Sequence, residues 1–139
     1  MIVTENQQEL KDWANKRSKL PDFADAVCLG QKFEDVRAVV QYCGFNGKSC
    51  LMHIVSEGNG WMTKNFLWAA FDFPFNKLGV KVIIATIART NKRSLRLSRH
   101  LGFQEVATIA DAHDEGDLVI LEMRPQHCKW LQIRNTLGV

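Results

Sequence analysis

Several features that mark specialised classes of protein are missing from this sequence. Its 139 residues include four cysteines but no C-x-x-C pair, and its longest apolar stretches are far shorter than a membrane span. The first residues become polar by position 4 and lack a basic start followed by an apolar core, so we expect no signal peptide. Repeats and low-complexity tracts are also missing. We therefore expect one globular domain over residues 1–139, in the cytoplasm and not in a membrane.

The cysteines are interpreted as reduced residues of the core. Three of them lie inside apolar runs, where cysteine behaves as a small hydrophobic residue. His127 and Cys128 are adjacent, but no second pair follows at the spacing of a metal site, so we expect no metal. The four positions are Cys28, Cys43, Cys50 and Cys128.

The net charge of +3 is small, yet the basic residues are concentrated in one segment. A solvated helix face, a site for a phosphate-rich cofactor and a nucleic-acid surface would each account for such a segment. No aromatic residues are interleaved to stack bases, and no nucleic-acid-binding motif is present, which favours the cofactor over nucleic acid. The basic positions are Arg89, Lys92, Arg93, Arg96, Arg99 and His100.

Hydrophobic periodicity and turn residues predict an α/β (α+β) fold with a mixed central sheet flanked by helices. Thr4 and Gln7 suggest a capping box that begins the first helix, and Asn46-Gly47 suggests a tight hairpin. The predicted order is α-β-β-β-α-β-α-β-β. Its helices cover 5–18, 61–71 (ending near Pro74) and 91–101, and its strands cover 26–33, 36–43, 50–56, 81–88, 103–109 and 118–123, with a short helix or tail at 127–133.

The most informative segment runs from Thr90 to Phe103, directly after the predicted strand 81–88. Asn91 is suited to cap a helix, and Gly102 is suited to the left-handed conformation that ends one. This order, with N-x-x-S followed by L-G-F, resembles the C-terminal half of the GNAT superfamily of acyl-CoA-dependent N-acyltransferases over residues 80–123. A looser resemblance, over residues 26–131, is to small GNAT-like proteins of phages and prophages; it rests on MHI at 52–54, FDFPF at 71–75, MR at 123–124 and WL at 130–131.

The resemblance implies a binding site for acetyl-CoA (CoA). In this family the strand before the central helix offers backbone groups to the cofactor, and a Gly-rich turn at the helix N-terminus holds the pyrophosphate. Here that turn lacks the R-G-x-G pattern, so a simple turn before a helix is an equally good interpretation. If the turn does bind the pyrophosphate, Lys64 and Asn65 are suited to replace the missing contacts. The implied cofactor-binding residues are Ile54, Val55, Ser56, Gly58, Asn59, Gly60, Trp61, Met62, Thr63, Asn91, Arg93 and Ser94.

The resemblance also implies the catalytic groups. Family members often carry a tyrosine acid seven residues after the asparagine, where this chain has Ser98, and its only tyrosine is Tyr42 in a predicted strand. His53 and Glu57 are the candidate bases, and a half-buried strand histidine and a loop carboxylate are the structural alternatives.

Two functions follow from this interpretation. The first is an N-acetyltransferase that transfers acetyl directly to an amine of an unidentified acceptor. The second is a non-catalytic GNAT-fold binding module, such as a phage factor acting on a host protein. A homodimer is compatible with either, with Trp130 and Leu131 at an interface or over the core.

Overall fold

A computed structural model describes residues 1–132 and contains a seven-stranded mixed sheet. The strands are β1 (Ile2–Val3), β2 (Val27–Phe33), β3 (Asp35–Cys43), β4 (Ser49–Ser56), β5 (Val82–Ala88), β6 (Gln104–His113) and β7 (Gly116–Met123). The helices are α1 (Gln7–Arg17), α2 (Lys64–Asp72) and α3 (Lys92–Leu101), with a π-helical turn at Phe73–Lys77 and 3-10 turns at Pro125–His127 and Lys129–Gln132. The strand order is β1-β2-β3-β4-β5-β7-β6, and β4 and β5 are parallel whereas the other neighbours are antiparallel. The predicted fold class is confirmed.

Each face of the sheet has its own apolar core. On one face, α2 and α3 pack through residues such as Phe66, Phe71 and Leu95 against the larger cluster. On the other face, Leu10 and Ala14 of α1 pack against a smaller cluster from β2, β3 and β4. Successive residues of a strand point to opposite faces, so odd and even positions of β4 serve different cores.

The predicted order of elements is confirmed, with one strand added at the start. Ile2 and Val3 pair with Gln31 and Gly30 of β2, and a run of two apolar residues is too short to be identified as a strand by periodicity. The start of the first helix is corrected. Asn6, and not Thr4, is the N-cap, because its side-chain oxygen accepts the N–H of Glu9 at 3.4 Å.

The prediction for the second helix was wrong at its start, whereas α2 ends at Asp72, within one residue of the predicted end. Thr63 is the N-cap, with its hydroxyl oxygen accepting the N–H of Phe66 at 3.1 Å, so positions 61 and 62 belong to the preceding loop. Pro74 does not stop the helical path. The chain widens into the π-helical turn, in which the N–H of Leu78 donates to the carbonyl of Phe73 at 3.0 Å.

Pro74 leaves a carbonyl of α2 without its usual donor, and the only tyrosine supplies one. In an α-helix the carbonyl of Ala70 accepts the N–H of residue 74, which proline lacks. The hydroxyl of Tyr42 in β3 donates to this carbonyl at 2.5 Å, and Tyr42 is 0 % exposed. The sheet therefore completes the hydrogen bonding of the helix at the point where the helix changes its pitch.

The remaining expectations concern the cysteines, the C-terminal segment and the membrane. All four cysteines are buried and unpaired. The segment predicted at 127–133 contains a 3-10 turn up to Gln132, and Ile133 lies outside the described residues. Trp130 covers the core and donates its indole N–H to the carbonyl of Leu101 at 2.8 Å. In residues 1–132 no helix is both long and apolar enough to span a membrane.

Candidate active site

The central feature of the site is a gap between the two parallel strands. β4 pairs with β5 only from Ser49 to Leu51, opposite Val82 to Ile84. Beyond these pairs, β4 continues to Ser56 along β3 and β5 continues to Ala88 along β7. Within residues 1–132, the backbone groups of these two segments that face each other have no strand partner. An extended ligand can bind in such a gap through main-chain hydrogen bonds.

The predicted cofactor residues Ile54, Val55 and Ser56 all lie on the free edge of β4. The hydrogen-bonded pair of Glu57 with Arg37 fixes the alternation along β4, so the N–H and C=O groups of Val55 point to β3 and those of Ile54 and Ser56 point into the gap. Of these three positions, Ile54 and Ser56 therefore offer backbone groups to a ligand in the gap, and Val55 does not.

The loop after β4 is held by a side chain that the sequence did not suggest. Gln31 of β2 is 2 % exposed and donates from Nε2 to the carbonyl of Trp61 at 3.2 Å and to the Thr63 hydroxyl oxygen at 3.0 Å. Trp61 in turn donates its indole N–H to the carbonyl of Gly58 at 3.1 Å. Gly58 has a φ of +67°, which other residue types rarely adopt. The side chain of Gln31 therefore anchors this loop to β2.

Part of the donor capacity of this loop is already used. The N–H of Met62 donates to the carbonyl of Asn59 at 3.4 Å, and the N–H of Thr63 donates to that of Trp61 at 2.9 Å. Gly60 is exposed, as are Lys64 and Asn65 in the first turn of α2. An anion at this helix start would therefore bind through the remaining loop N–H groups and Lys64.

Glu57 is engaged on the α1 side of the sheet. Its carboxylate forms an ion pair with Arg17, with 2.6 Å between Oε1 and Nε, and the Arg17 guanidinium lies 4.1 Å from the centre of the Trp13 ring. Both charged side chains are partly exposed, so the pair adds at most about 1 kcal/mol to stability. The pairing neutralises a carboxylate that would otherwise repel a phosphate at the neighbouring glycines, and it makes Glu57 a poor base.

Asn91 is the N-cap of α3, as predicted. Its side-chain oxygen accepts the N–H of Ser94 at 3.2 Å, and its own N–H donates to the carbonyl of Ala88 at 2.9 Å. This places Asn91 at the end of β5, on the far rim of the gap from Ser56. Ser94 is half-buried, and Arg93 is exposed beside it.

The basic residues of this segment do not form one surface. Arg89 and Arg99 both form ion pairs with Glu105 of β6, the first at 3.3 Å. The two guanidinium groups lower the pKa of Glu105 below its ordinary value, through hydrogen bonds first. Arg93 and Arg96 remain exposed on α3, with no ion pair among residues 1–132.

Ser98, the candidate acid, and Tyr42, the tyrosine of β3, differ in accessibility. Ser98 is half-buried on α3, and its carbonyl accepts the N–H groups of Gly102 and Phe103, which end the helix. Tyr42 is fully buried, and that burial raises its pKa well above the ordinary value. Tyr42 therefore has a structural function.

His53 lies on β4 with its side chain on the α1 face. Its ring stacks on that of Phe23, with 5.5 Å between ring centres and an interplanar angle of 9°. The Nε2 atom is buried and has no hydrogen-bond partner among residues 1–132. Burial lowers the pKa of His53 below its ordinary value of 6.5, so the imidazole is neutral at neutral pH and can accept a proton.

Comparison with solved structures shows which proteins share this fold. A chimera of spermidine N-acetyltransferase SpeG from Vibrio cholerae with hSSAT is 13 % identical, with a TM-score of 0.73 over 94 % of this chain and 98 % of that chain. The protein yncA, a proposed acetyltransferase from Salmonella typhimurium solved with its cofactor acetyl-CoA, is 14 % identical, with a TM-score of 0.68 over 89 % and 92 % of the two chains. The ribosomal-protein-S5-alanine acetyltransferase from Vibrio fischeri is 13 % identical, with a TM-score of 0.60 over 76 % and 63 %.

Similarity at the level of sequence is much weaker. No protein-family model matches the chain. No curated protein matches it either. The sequence identities above are too low to transfer a reaction. The structural similarity establishes only that this chain has the fold of the GNAT acetyltransferases.

Proposed function

We propose that this protein is an acetyl-CoA-dependent N-acetyltransferase that acts directly on an amine. The observation that carries the proposal is the gap between β4 and β5, with unpaired backbone groups on both sides and the start of α3 at its rim. The fold shared with acetyltransferases, one of them solved with acetyl-CoA, supports it.

The residues around the gap fit this cofactor. Ile54 and Ser56 present their backbone N–H and C=O groups on the free edge of β4, which suits the amide groups of an extended arm. Asn91 and Ser94 lie at the opposite rim, and Arg93 and the loop 58–63 supply positive charge and N–H groups for phosphates. Bound acetyl-CoA supplies a thioester at which the acceptor nitrogen forms a C–N bond while the C–S bond breaks.

The protein has to remove a proton from the attacking amine. His53 is the base in this proposal, because its Nε2 is free of other bonds and its ring is neutral at neutral pH. Glu57 is held by Arg17 and does not serve as the base. Ser98 is the hydroxyl on α3 that donates a hydrogen bond to the leaving sulfur, whose proton comes from water.

A calorimetric titration with acetyl-CoA tests the cofactor. We expect saturable binding, with an increase in unfolding free energy of about 2.7 kcal/mol when the ligand is at 100 times its Kd. Replacing Arg93 by Ala should weaken binding about tenfold, by loss of one charge-assisted contact. Lys16→Ala on α1 is the matched control for loss of one exposed positive charge. No heat and no thermal shift with the unmodified protein would exclude the proposal.

A second candidate function is a non-catalytic binding module of the same fold. It is favoured because two backbone N–H groups of the loop before α2 are already bonded to carbonyls of that loop. The N–H groups of Met62 and Thr63 donate to loop carbonyls, so fewer donors remain for a pyrophosphate. Such a module would not consume acetyl-CoA with any amine and would form a stable complex with a partner protein. The narrower resemblance to phage proteins stays a prediction, because the solved structures bear on the fold alone.

A further inference from the structure

A row of three neighbouring polar side chains crosses the α1 face of the sheet. Cys28, Gln41 and His53 are direct neighbours on β2, β3 and β4, paired as Cys28 with Gln41 and Gln41 with His53. Direct cross-strand neighbours have Cβ atoms about 4.5–5.5 Å apart, within reach of each other and of one small ligand. This row lies on the face opposite to α2 and α3, and one end of it is the base of the proposed reaction.

Gln41 is the unusual member of the row. It is 0 % exposed, and neither its amide oxygen nor its amide nitrogen has a partner among residues 1–132. The adjacent Nε2 of His53 is also buried and unpartnered. Buried polar groups are nearly always hydrogen-bonded in proteins, because leaving one unsatisfied is costly. Three such atoms on neighbouring strands therefore indicate a missing partner with both a donor and an acceptor.

Phe23 covers the His53 end of this row, whereas Cys28 packs with Leu10 and Ala14 of α1. Phe23 belongs to the loop 18–26 between α1 and β2, and its ring lies flat on His53. A ligand that approaches His53 from this side has to displace the Phe23 ring.

Charges of both signs lie near the row, namely Lys11 of α1 and Asp25 of the loop 18–26, so net charge does not select the ligand. Burial raises the pKa of the Cys28 thiol, which keeps it neutral, and the Lys11 ammonium of α1 is close enough to oppose that rise. A cation already approaches from the helix side. An α-amine next to an amide has a pKa near about 8, against about 10.4 for an alkyl amine such as that of lysine, so far more of it is neutral at pH 7.

We infer that Gln41 and His53 form the acceptor subsite beneath Phe23, and that its ligand is an α-amino amide: a free α-amine next to a peptide or carboxamide group. The Gln41 amide donates to the carbonyl of the ligand and accepts from its N–H, and the amine lies against Nε2 of His53. Gln41 is thus a specificity-determining residue. The inference rests on the proposed function for the identity of the reaction, but not for the binding of the ligand.

The test uses L-alaninamide as the probe and follows the His53 imidazole by NMR in labelled protein, with and without CoA. We expect a saturable shift of the His53 resonances, at least tenfold weaker affinity for spermidine, and a tenfold or greater loss of alaninamide affinity in Gln41→Leu. Gln41→Asn, which keeps the amide, should retain part of the affinity even if the leucine variant is unstable. Phe23→Ala should bind alaninamide at least as tightly as the unmodified protein, and Phe45→Ala is the control for an exposed phenylalanine.

The outcomes separate the two proposals. An unshifted His53 at saturating probe, or equal affinity in Gln41→Leu and the unmodified protein, would overturn the subsite and leave ordered water as the partner of Gln41. Thiol release from acetyl-CoA is measured in parallel. A His53 shift without thiol release contradicts the acetyltransferase and supports the subsite, whereas acetylation of spermidine without a His53 shift does the reverse.

Discussion

Replacing Tyr42 by Phe should destabilise the protein through a single atom. The hydroxyl donates to the carbonyl of Ala70, which has no N–H donor at residue 74 because that residue is proline. Tyr42 is 0 % exposed, so water does not replace the lost bond. A buried acceptor left unsatisfied costs about 1–3 kcal/mol, and we expect about 2 kcal/mol here.

The measurement is urea unfolding followed by tryptophan fluorescence, with the slope m unchanged and the midpoint lowered. For a domain of this size, a loss of about 2 kcal/mol corresponds to a fall in Tm of about 6–10 °C. A double-mutant cycle isolates the cause. Pro74→Ala restores the N–H that donates to the Ala70 carbonyl in an α-helix. In that background Tyr42→Phe should therefore lower the free energy of unfolding by less than about 1 kcal/mol.

The reasoning is refuted if Tyr42→Phe costs the same in both backgrounds, within about 0.5 kcal/mol. Equal costs would mean that the hydroxyl contributes through packing or through other groups and not by replacing the N–H that Pro74 lacks. The variant Phe71→Leu, at another buried aromatic ring of the same core, provides a control for loss of packing without loss of a hydrogen bond.

Three further results are expected. Gln31→Leu removes both bonds to the loop before α2 and should weaken acetyl-CoA binding about tenfold by calorimetry; unchanged affinity would contradict its positioning role. Burial lowers the pKa of His53, so the unfolded chain binds its proton first as the pH falls below 6.5 and stability is lost there. His53→Phe should reduce the difference in Tm between about pH 7 and about pH 5.5, and an unaltered difference would exclude His53 as its source. Gly102→Ala should cost about 1–2 kcal/mol in urea unfolding, because φ is +111° and the new Cβ would lie 3.1 Å from Met123 Cε; a cost under about 0.5 kcal/mol would contradict this.

The unit from β5 to the end of α3 was predictable because its signals are local. Asn91 and Gly102 cap the helix through bonds to residues within four positions, and those bonds depend on residue type and spacing alone. The start of α2 also depends on local signals, but both Trp61 and Thr63 were plausible first positions of the helix. Thr63 supplied the cap, and the apolar Trp61 turned inward from the loop instead of adding a turn to the helix.

Other features depend on contacts between distant parts of the chain, and no pattern in the sequence revealed them. Gln31 braces a loop about thirty residues away, and Tyr42 completes a helix at a similar separation. The sequence did not reveal that Glu105 of β6 forms ion pairs with two of the basic residues, Arg89 and Arg99. The place of His53 on a half-buried strand follows from alternation, whereas its cover by Phe23 depends on the path of the loop 18–26.

The gap between β4 and β5 amounts to a pair of exposed sheet edges in the middle of the molecule. Exposed edges invite pairing with another chain and so promote aggregation. Here the two edges meet at Leu51 and Ile84 and diverge from there, so the space is wedge-shaped and closed at one end. A straight strand of a neighbouring molecule cannot enter it far enough to pair with both sides, but a narrow, flexible molecule can. The geometry that keeps the backbone open for a ligand therefore also limits pairing by a neighbouring strand at this gap.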